Sequence, residues 1–174
     1  MAKTYTAAGT VAAGDVYTAA AHNIIATNVN NLIVPPAVRV VRTTGFTPTS
    51  GVNITWSSAG YDTDSMFAAG SPTILTVNTS GLYVATFSGY LSAATSLVNP
   101  VAFIVVNGTS QVGQYLPQIG ANAIFSVSAV LDLTATNTVS ATCTFGGTGP
   151  FGLSGTTTDY QQTRLSLTWL NQKS

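Results

Sequence analysis

Two alternating runs around a short turn, between residues 73 and 91, constrain the fold more than any other feature of the sequence. In the first run, Leu75 and Val77 are two residues apart and therefore share one face of an extended strand. Residues 79–81 have the composition of a turn, and the alternation resumes over residues 82–91. Both faces of this second strand carry bulky side chains, as expected in the middle of a two-sheet sandwich or at a subunit contact.

The chain beyond residue 37 repeats this pattern of short strands and turns. Asn107 and Gly108 form a strong signal for a two-residue hairpin turn, and the glycine-rich residues 146–155 are predicted to be irregular. About eight strands with turn signals every 8–12 residues predict an all-β fold, a sandwich or jelly roll. The other strands are predicted at residues 38–41, 52–56, 101–106, 111–116, 123–133, 138–145 and 163–170.

Residues 1–36 are predicted to form an N-terminal anchoring arm and a short helix, ahead of a head domain at residues 37–174. Asp15 or Thr18 is suited to cap the helix, and Pro35 and Pro36 end it. A helix of this length is marginal alone, so its apolar face must pack on its own domain, another subunit or a larger particle. The candidate anchoring residues are Val16, Ile24, Ile25, Val29, Leu32 and Ile33.

The composition argues against several classes of partner. Charged residues make up 6% of the chain, hydrophobic residues 45%, and the formal net charge is +0. Such a surface provides no electrostatic attraction to nucleic acid or to an anionic membrane, so we expect neither partner. No apolar run is long enough to span a bilayer, and the N-terminus does not resemble a signal peptide. The single Cys143 excludes an internal disulfide and is predicted to be a buried, inert thiol.

The residues that could carry chemistry are few and scattered, so the chain is predicted not to be an enzyme. His22 is the only histidine and is far in sequence from Cys143 and Asp159, which disfavours a catalytic triad. Asp62 and Asp64 are too close together to flank a sugar ring as a glycosidase pair. They are weak candidates for a calcium site, because two carboxylates supply at most half of its ligands, and turn capping is favoured. No cofactor is predicted.

Three short segments resemble a known family: residues 61–66 (YDTDSM), 73–77 (TILTV) and 81–84 (GLYV). Together they look like the tumour-necrosis-factor-like jelly roll of the complement globular-head type. They are similar in particular to the version found in virion proteins of tailed bacteriophages. The resemblance implies a jelly roll that assembles as a compact homotrimer and serves assembly and recognition without catalysis. It also implies that an ion can be held near the trimer axis, as in some members of the group.

We therefore expect strands 82–91 and 163–170 to bury apolar outward faces along a three-fold axis. The predicted function is a non-enzymatic bacteriophage virion protein, a homotrimeric capsid decoration protein or short head fibre attached through its N-terminal arm. It would fold in the host cytoplasm before it joins the virion. A capsid location is favoured because about 35 residues, rising at most about 3.3–3.6 Å each, cannot build a long shaft. The trimer-interface candidates are Leu82, Val84, Tyr90, Leu165, Leu167 and Trp169.

Two alternatives remain open. One is a phage tail tip or fibre protein that recognises a host surface glycan or protein through the loops at residues 45–50 and 146–155. The other is a secreted lectin-like binding module with no virion. Binding to empty capsid shells, binding to host cells, and retention on a glycan array distinguish the three hypotheses.

Overall fold

The computed structural model describes residues 18–94, 98–116, 123–146, 151–154 and 162–172. Within these residues one helix, α1 (Ala19–Ile33), precedes ten strands. The strands are β1 (Ala37–Val41), β2 (Ser58–Asp62), β3 (Leu75–Thr76), β4 (Gly81–Ala94), β5 (Val98–Val106), β6 (Thr109–Tyr115), β7 (Ala123–Leu133), β8 (Thr138–Gly146), β9 (Phe151–Leu153) and β10 (Arg164–Asn171).

The strands form two antiparallel sheets packed face to face. One is six-stranded, in the order β2-β1-β10-β4-β7, and β9 pairs with the far end of β4 beyond β10. The other is four-stranded, in the order β3-β8-β5-β6. The predicted all-β sandwich preceded by a short helix is confirmed.

The core lies between the sheets and is built from alternate residues of each strand. On β4 the inward side chains include Tyr83, Phe87 and Leu91, all fully buried. The Phe87 ring makes edge-to-face contacts with Trp56 (6.4 Å between centroids) and Phe125 (5.1 Å). The period-two alternation predicted for residues 82–91 is therefore confirmed.

Helix α1 begins directly after Thr18, one of the two predicted capping residues, and ends before the predicted prolines. The Thr18 hydroxyl accepts a hydrogen bond from the Ala21 backbone N–H at 3.2 Å, so Thr18 is the N-cap. The helix ends at Ile33, two residues before Pro35. The Thr63 hydroxyl then donates to the Pro35 carbonyl (2.6 Å) and accepts from the Ala37 N–H (2.8 Å), which holds the start of β1 against the sheet.

Two strand predictions are wrong. Residues 52–56 are not a strand, because Ile54 N–H bonds to β8 while Trp56 N–H bonds to the Pro72 carbonyl, so no continuous ladder forms. The strand lies instead at β2, an edge strand that lacks apolar alternation. The predicted irregular segment 146–155 contains β9, whose pairing to β4 depends on backbone contacts remote in sequence.

Candidate interaction surfaces

The outer sheet face is the side of the six-stranded sheet that points away from the core. Pairing of β10, β4 and β7 places Thr168, Val84 and Val130 side by side on this face. Ile124 and Val130 are 65% and 63% exposed, and Leu170 on β10 is 50% exposed. The residues of the outer sheet face are Arg39, Leu82, Val84, Thr86, Ser88, Tyr90, Ile124, Ser126, Ser128, Val130, Asp132, Arg164, Ser166, Thr168 and Leu170.

Only half of the trimer-interface candidates lie on the outer sheet face. Leu82, Val84 and Tyr90 are there and half-buried, and their contact with another subunit stays a prediction. The assignment of the other candidates, on β10, is wrong, because their side chains are buried in the core of a single chain. The apolar face of β10 packs against the second sheet, so its polar face points outward. The buried candidates are Leu165, Leu167 and Trp169.

A cavity of about 430 Å³ opens on the outer sheet face. Two arginines from neighbouring strands line it: Arg39 on β1 and Arg164 on β10. Arg164 Nε donates to the Ser88 hydroxyl at 3.1 Å, and the Arg39 guanidinium carbon lies 5.4 Å from the centroid of the Tyr61 ring. The sequence alone does not place these two arginines together, because they lie 125 positions apart on different strands. In each strand the arginine alternates with buried residues. This alternation is the signal in the sequence that the arginine faces away from the core.

The helix stripe is the set of apolar side chains that α1 leaves exposed: Ile25, Val29, Leu32 and Ile33. Ile25, Val29 and Leu32 follow i, i+4, i+7 spacing and so share one face of the helix. Leu32 and Ile33 are 63% and 70% exposed, so the domain does not cover this face. Among the other anchoring candidates, Ile24 is half-buried and Val16 lies outside the described residues. No helix in the described part of the chain is long and apolar enough to cross a membrane.

The two loops predicted for receptor binding lie against each other where they are described. Phe46 and Leu153 exchange a pair of backbone hydrogen bonds, at 3.0 and 2.9 Å. The Arg42 guanidinium carbon lies 4.5 Å from the Phe46 ring centroid, and its Nη1 donates to the Thr55 carbonyl at 2.9 Å. A cavity of about 240 Å³ adjoins these residues. Residues 147–150 and 155 of the second loop lie outside the described residues.

Asp62 acts as a turn cap. Its Oδ1 accepts hydrogen bonds from the N–H groups of Asp64 (3.2 Å) and Met66 (3.0 Å), and its Oδ2 accepts one from Phe67 (2.8 Å). The predicted capping role is thus confirmed for Asp62. Asp64 is fully buried beneath this turn, and its carbonyl accepts a hydrogen bond from the Asn78 amide. The described residues contain no cluster of three or more His, Cys, Asp or Glu side chains.

The residues considered for a catalytic triad are not brought together among the described residues. His22 is exposed on α1, whereas Cys143 is fully buried in β8 between the sheets. Burial raises the pKa of the Cys143 thiol to about 12, which makes it a poor nucleophile. The predicted buried thiol is therefore confirmed. Asp159, the third residue considered for a triad, lies outside the described residues.

The fold resembles two solved structures. The globular domain of zebrafish complement 1qA protein aligns with a TM-score of 0.57 and 14% identity, over 79% of this chain and 99% of that domain. The chain has the C1q/TNF-like fold. Eiger TNF from S. frugiperda aligns with a TM-score of 0.54 and 12% identity, over 80% of this chain and 96% of that one. No protein-family model matches the chain, and no curated protein matches it.

The C1q/TNF-like fold confirms the part of the sequence-based resemblance that concerns architecture. Residues 81–84 begin β4 in the interior of the six-stranded sheet, whereas residues 61–66 end the edge strand β2 and form the turn that Asp62 caps. Identities of 12–14% support the fold alone. The virion context stays a prediction.

Proposed function

We propose that the chain is a non-enzymatic bacteriophage virion protein, a homotrimeric capsid decoration protein or short head fibre that attaches through its N-terminal segment. Apolar surface left exposed on the outer sheet face and on the helix stripe carries this proposal. A single chain buries its core yet leaves large apolar side chains exposed, among them Ile124 and Val130 on the outer sheet face and Leu32 and Ile33 on the helix stripe. Patches of this kind mark protein contact surfaces.

The outer sheet face is proposed as the contact between subunits. Domains of the C1q/TNF-like fold are typically homotrimeric binding modules. In this chain the outer face of the six-stranded sheet is the broadest sheet surface. Val84 and Val130 lie side by side on it, and Leu82 and Leu170 extend the apolar area towards one end. With a formal net charge of +0, copies of the chain meet little long-range repulsion.

The helix stripe is proposed as the attachment to the capsid. Helix α1 contains β-branched and asparagine residues with low intrinsic helix propensity, and at 15 residues it is marginal alone. Packing of Ile25, Val29 and Leu32 against an apolar groove of a capsid protein supplies the stabilisation that the head domain does not. Pro35 and Pro36 separate this helix from β1, so it can dock without disturbing the sheet.

Binding to empty capsid shells tests the attachment directly. We expect the full chain to co-sediment with shells of its phage at a symmetry-defined ratio, and deletion of residues 1–33 to abolish this while a folded trimer remains. Leu32→Gln removes only part of the helix stripe and should weaken binding about tenfold or more, because a buried leucine contributes roughly 1.5–3 kcal/mol. Thr27→Gln, on another face of the same helix, is the matched control and should bind normally. Equal binding by both variants would contradict the proposal.

A second candidate function is recognition of a host glycan or protein by a tail tip. The paired backbone hydrogen bonds between Phe46 and Leu153 favour it, because they bring the two predicted binding loops into one surface. Purified protein should then bind host cells and block infection, and Phe46→Ala should reduce both effects. Tyr115→Ala, which removes an exposed aromatic from the edge of the other sheet, is the control. Binding to cells without any binding to capsid shells would favour this second function.

A further inference from the structure

The cavity on the outer sheet face brings two positive charges together through strand pairing. Arg39 on β1 lies opposite Ser166 on β10, and Arg164 is two residues before Ser166 on the same face of β10. Both arginines line the cavity of about 430 Å³. A volume of this size is within the range of small-molecule sites.

No lining residue in the described part of the chain balances these charges. The lining side chains besides the arginines are hydroxyl, amide and hydrophobic groups, and none is acidic. The one described carboxylate on this face, Asp132, pairs with Leu82, whereas Arg164 pairs with Ser88. Six residues along β4 separate those positions by about 20 Å. The other lining residues are Tyr61, Thr86, Ser88, Gly89, Ile124, Phe125, Ser126, Gln162 and Ser166.

Arg39 also has a hydrogen-bonding group without an acceptor. Its Nε–H is buried and has no partner among the described residues. A Cβ at Gly60 would lie 3.2 Å from this nitrogen, so the glycine lets the guanidinium lie close against β2. A buried N–H of a charged group is unfavourable without an acceptor. The surroundings of Arg39 are therefore incomplete without a group that the described chain does not supply.

We propose that Arg39 and Arg164 form a binding site for a small oxyanion in this cavity. A planar guanidinium donates paired hydrogen bonds that match phosphate, sulfate and carboxylate groups. The hydroxyls of Ser126 and Ser166 provide further donors around it. The site is built from one chain, so binding does not require the trimer. In the proposed trimer, however, the anion lies between subunits and stabilises their assembly by mass action.

Titration of the purified full chain tests the site. Sodium phosphate, sulfate and acetate are compared with sodium chloride at matched ionic strength, by thermal unfolding and by calorimetry. At least one oxyanion should raise the melting temperature in a saturable way that chloride does not reproduce. Preference for phosphate and sulfate indicates a tetrahedral ligand, and preference for acetate indicates a carboxylate. Equal stabilisation by chloride and the oxyanions would overturn the proposal, because it would show screening alone.

Three arginine variants locate the binding. Arg39→Gln and Arg164→Gln should each lower the affinity about tenfold or more, because each removes charge-assisted hydrogen bonds. Arg42→Gln makes the same change in charge, but its guanidinium faces Phe46 in a different cavity, so the affinity should not change. Unchanged affinity in the first two variants would refute the site. Asp15→Asn and Asp159→Asn test the two aspartates outside the described residues: oxyanion binding seen only in one of these variants would also refute the site.

Sedimentation measured in parallel separates this proposal from the proposed trimer. A monomer that binds an oxyanion through both arginines supports the site and contradicts the trimer. A trimer that binds no oxyanion contradicts the site and leaves the trimer standing. If both hold, phosphate or acetate should shift the monomer-trimer equilibrium towards the trimer in the original chain and not in Arg39→Gln.

Discussion

Replacement of Leu167 by alanine tests whether the bulky face of β10 belongs to the core of one chain. Leu167 is fully buried and pairs with Val38 on one side and Ala85 on the other, in the middle of the six-stranded sheet. Leu→Ala at such a site lowers the free energy of unfolding by about 2–5 kcal/mol, since it removes apolar contacts and leaves a cavity. For a chain of this size, that corresponds to a melting temperature lower by about 4–20 °C.

Val130→Asp is the matched change on the other side of the sheet. Val130 is 63% exposed in one chain, so the aspartate remains solvated in a monomer and the intrinsic stability should fall by only about 1 kcal/mol, the range of strand propensities. In a trimer built on the outer sheet face, it introduces one unpaired carboxylate per subunit at the contact. We therefore expect Val130→Asp to weaken assembly and Leu167→Ala to preserve it.

Sedimentation and chemical denaturation at several protein concentrations measure the two effects. Leu167→Ala should sediment as the original chain does and unfold at lower denaturant at every concentration. Val130→Asp should dissociate at concentrations where the original chain is assembled, while its circular dichroism stays that of a folded β protein. The reasoning is refuted if Leu167→Ala dissociates the oligomer without lowering the stability of the chain itself.

Three further variants test particular contacts. Asp62→Asn replaces one of the two carboxylate oxygens that together accept hydrogen bonds from three backbone N–H groups. It should lower the free energy of unfolding, measured in denaturant, by about 1.5–3 kcal/mol. Gly81→Ala should destabilise by about 1–3 kcal/mol, because its Cβ would lie under 3.0 Å from the Trp169 indole; Gly70→Ala meets nothing within 4 Å and is the control. The pKa of Cys143 rises on folding from 9.0 to about 12, so this thiol stabilises the fold below pH 9 and loses that effect as the pH rises towards 12. Between pH 8 and about 10.5 the original chain should lose about 2 kcal/mol more stability than Cys143→Ala; equal losses would contradict the raised pKa.

The sequence alone determines the elements whose signals are local. The Thr18 cap and the two prolines define α1, because capping and the missing proline N–H act within a few residues. Asn107 and Gly108 have φ values of +49° and +78°, which is the backbone of the tight hairpin turn that this dipeptide favours. The alternation of residues 82–91 likewise predicts which side chains share a face.

Only the tertiary structure decides which face is inside and which distant strands meet. The sequence of β10 has an apolar face and a polar face. The apolar face was predicted to contact another subunit, but the second sheet of the same chain packs on that face and buries it. The edge strands β2 and β9 exist because backbone groups far apart in sequence pair with β1 and β4, and backbone pairing leaves no side-chain pattern. Arg39 and Arg164 share a cavity for the same reason: 125 positions apart in sequence, they become neighbours only when β1 pairs with β10.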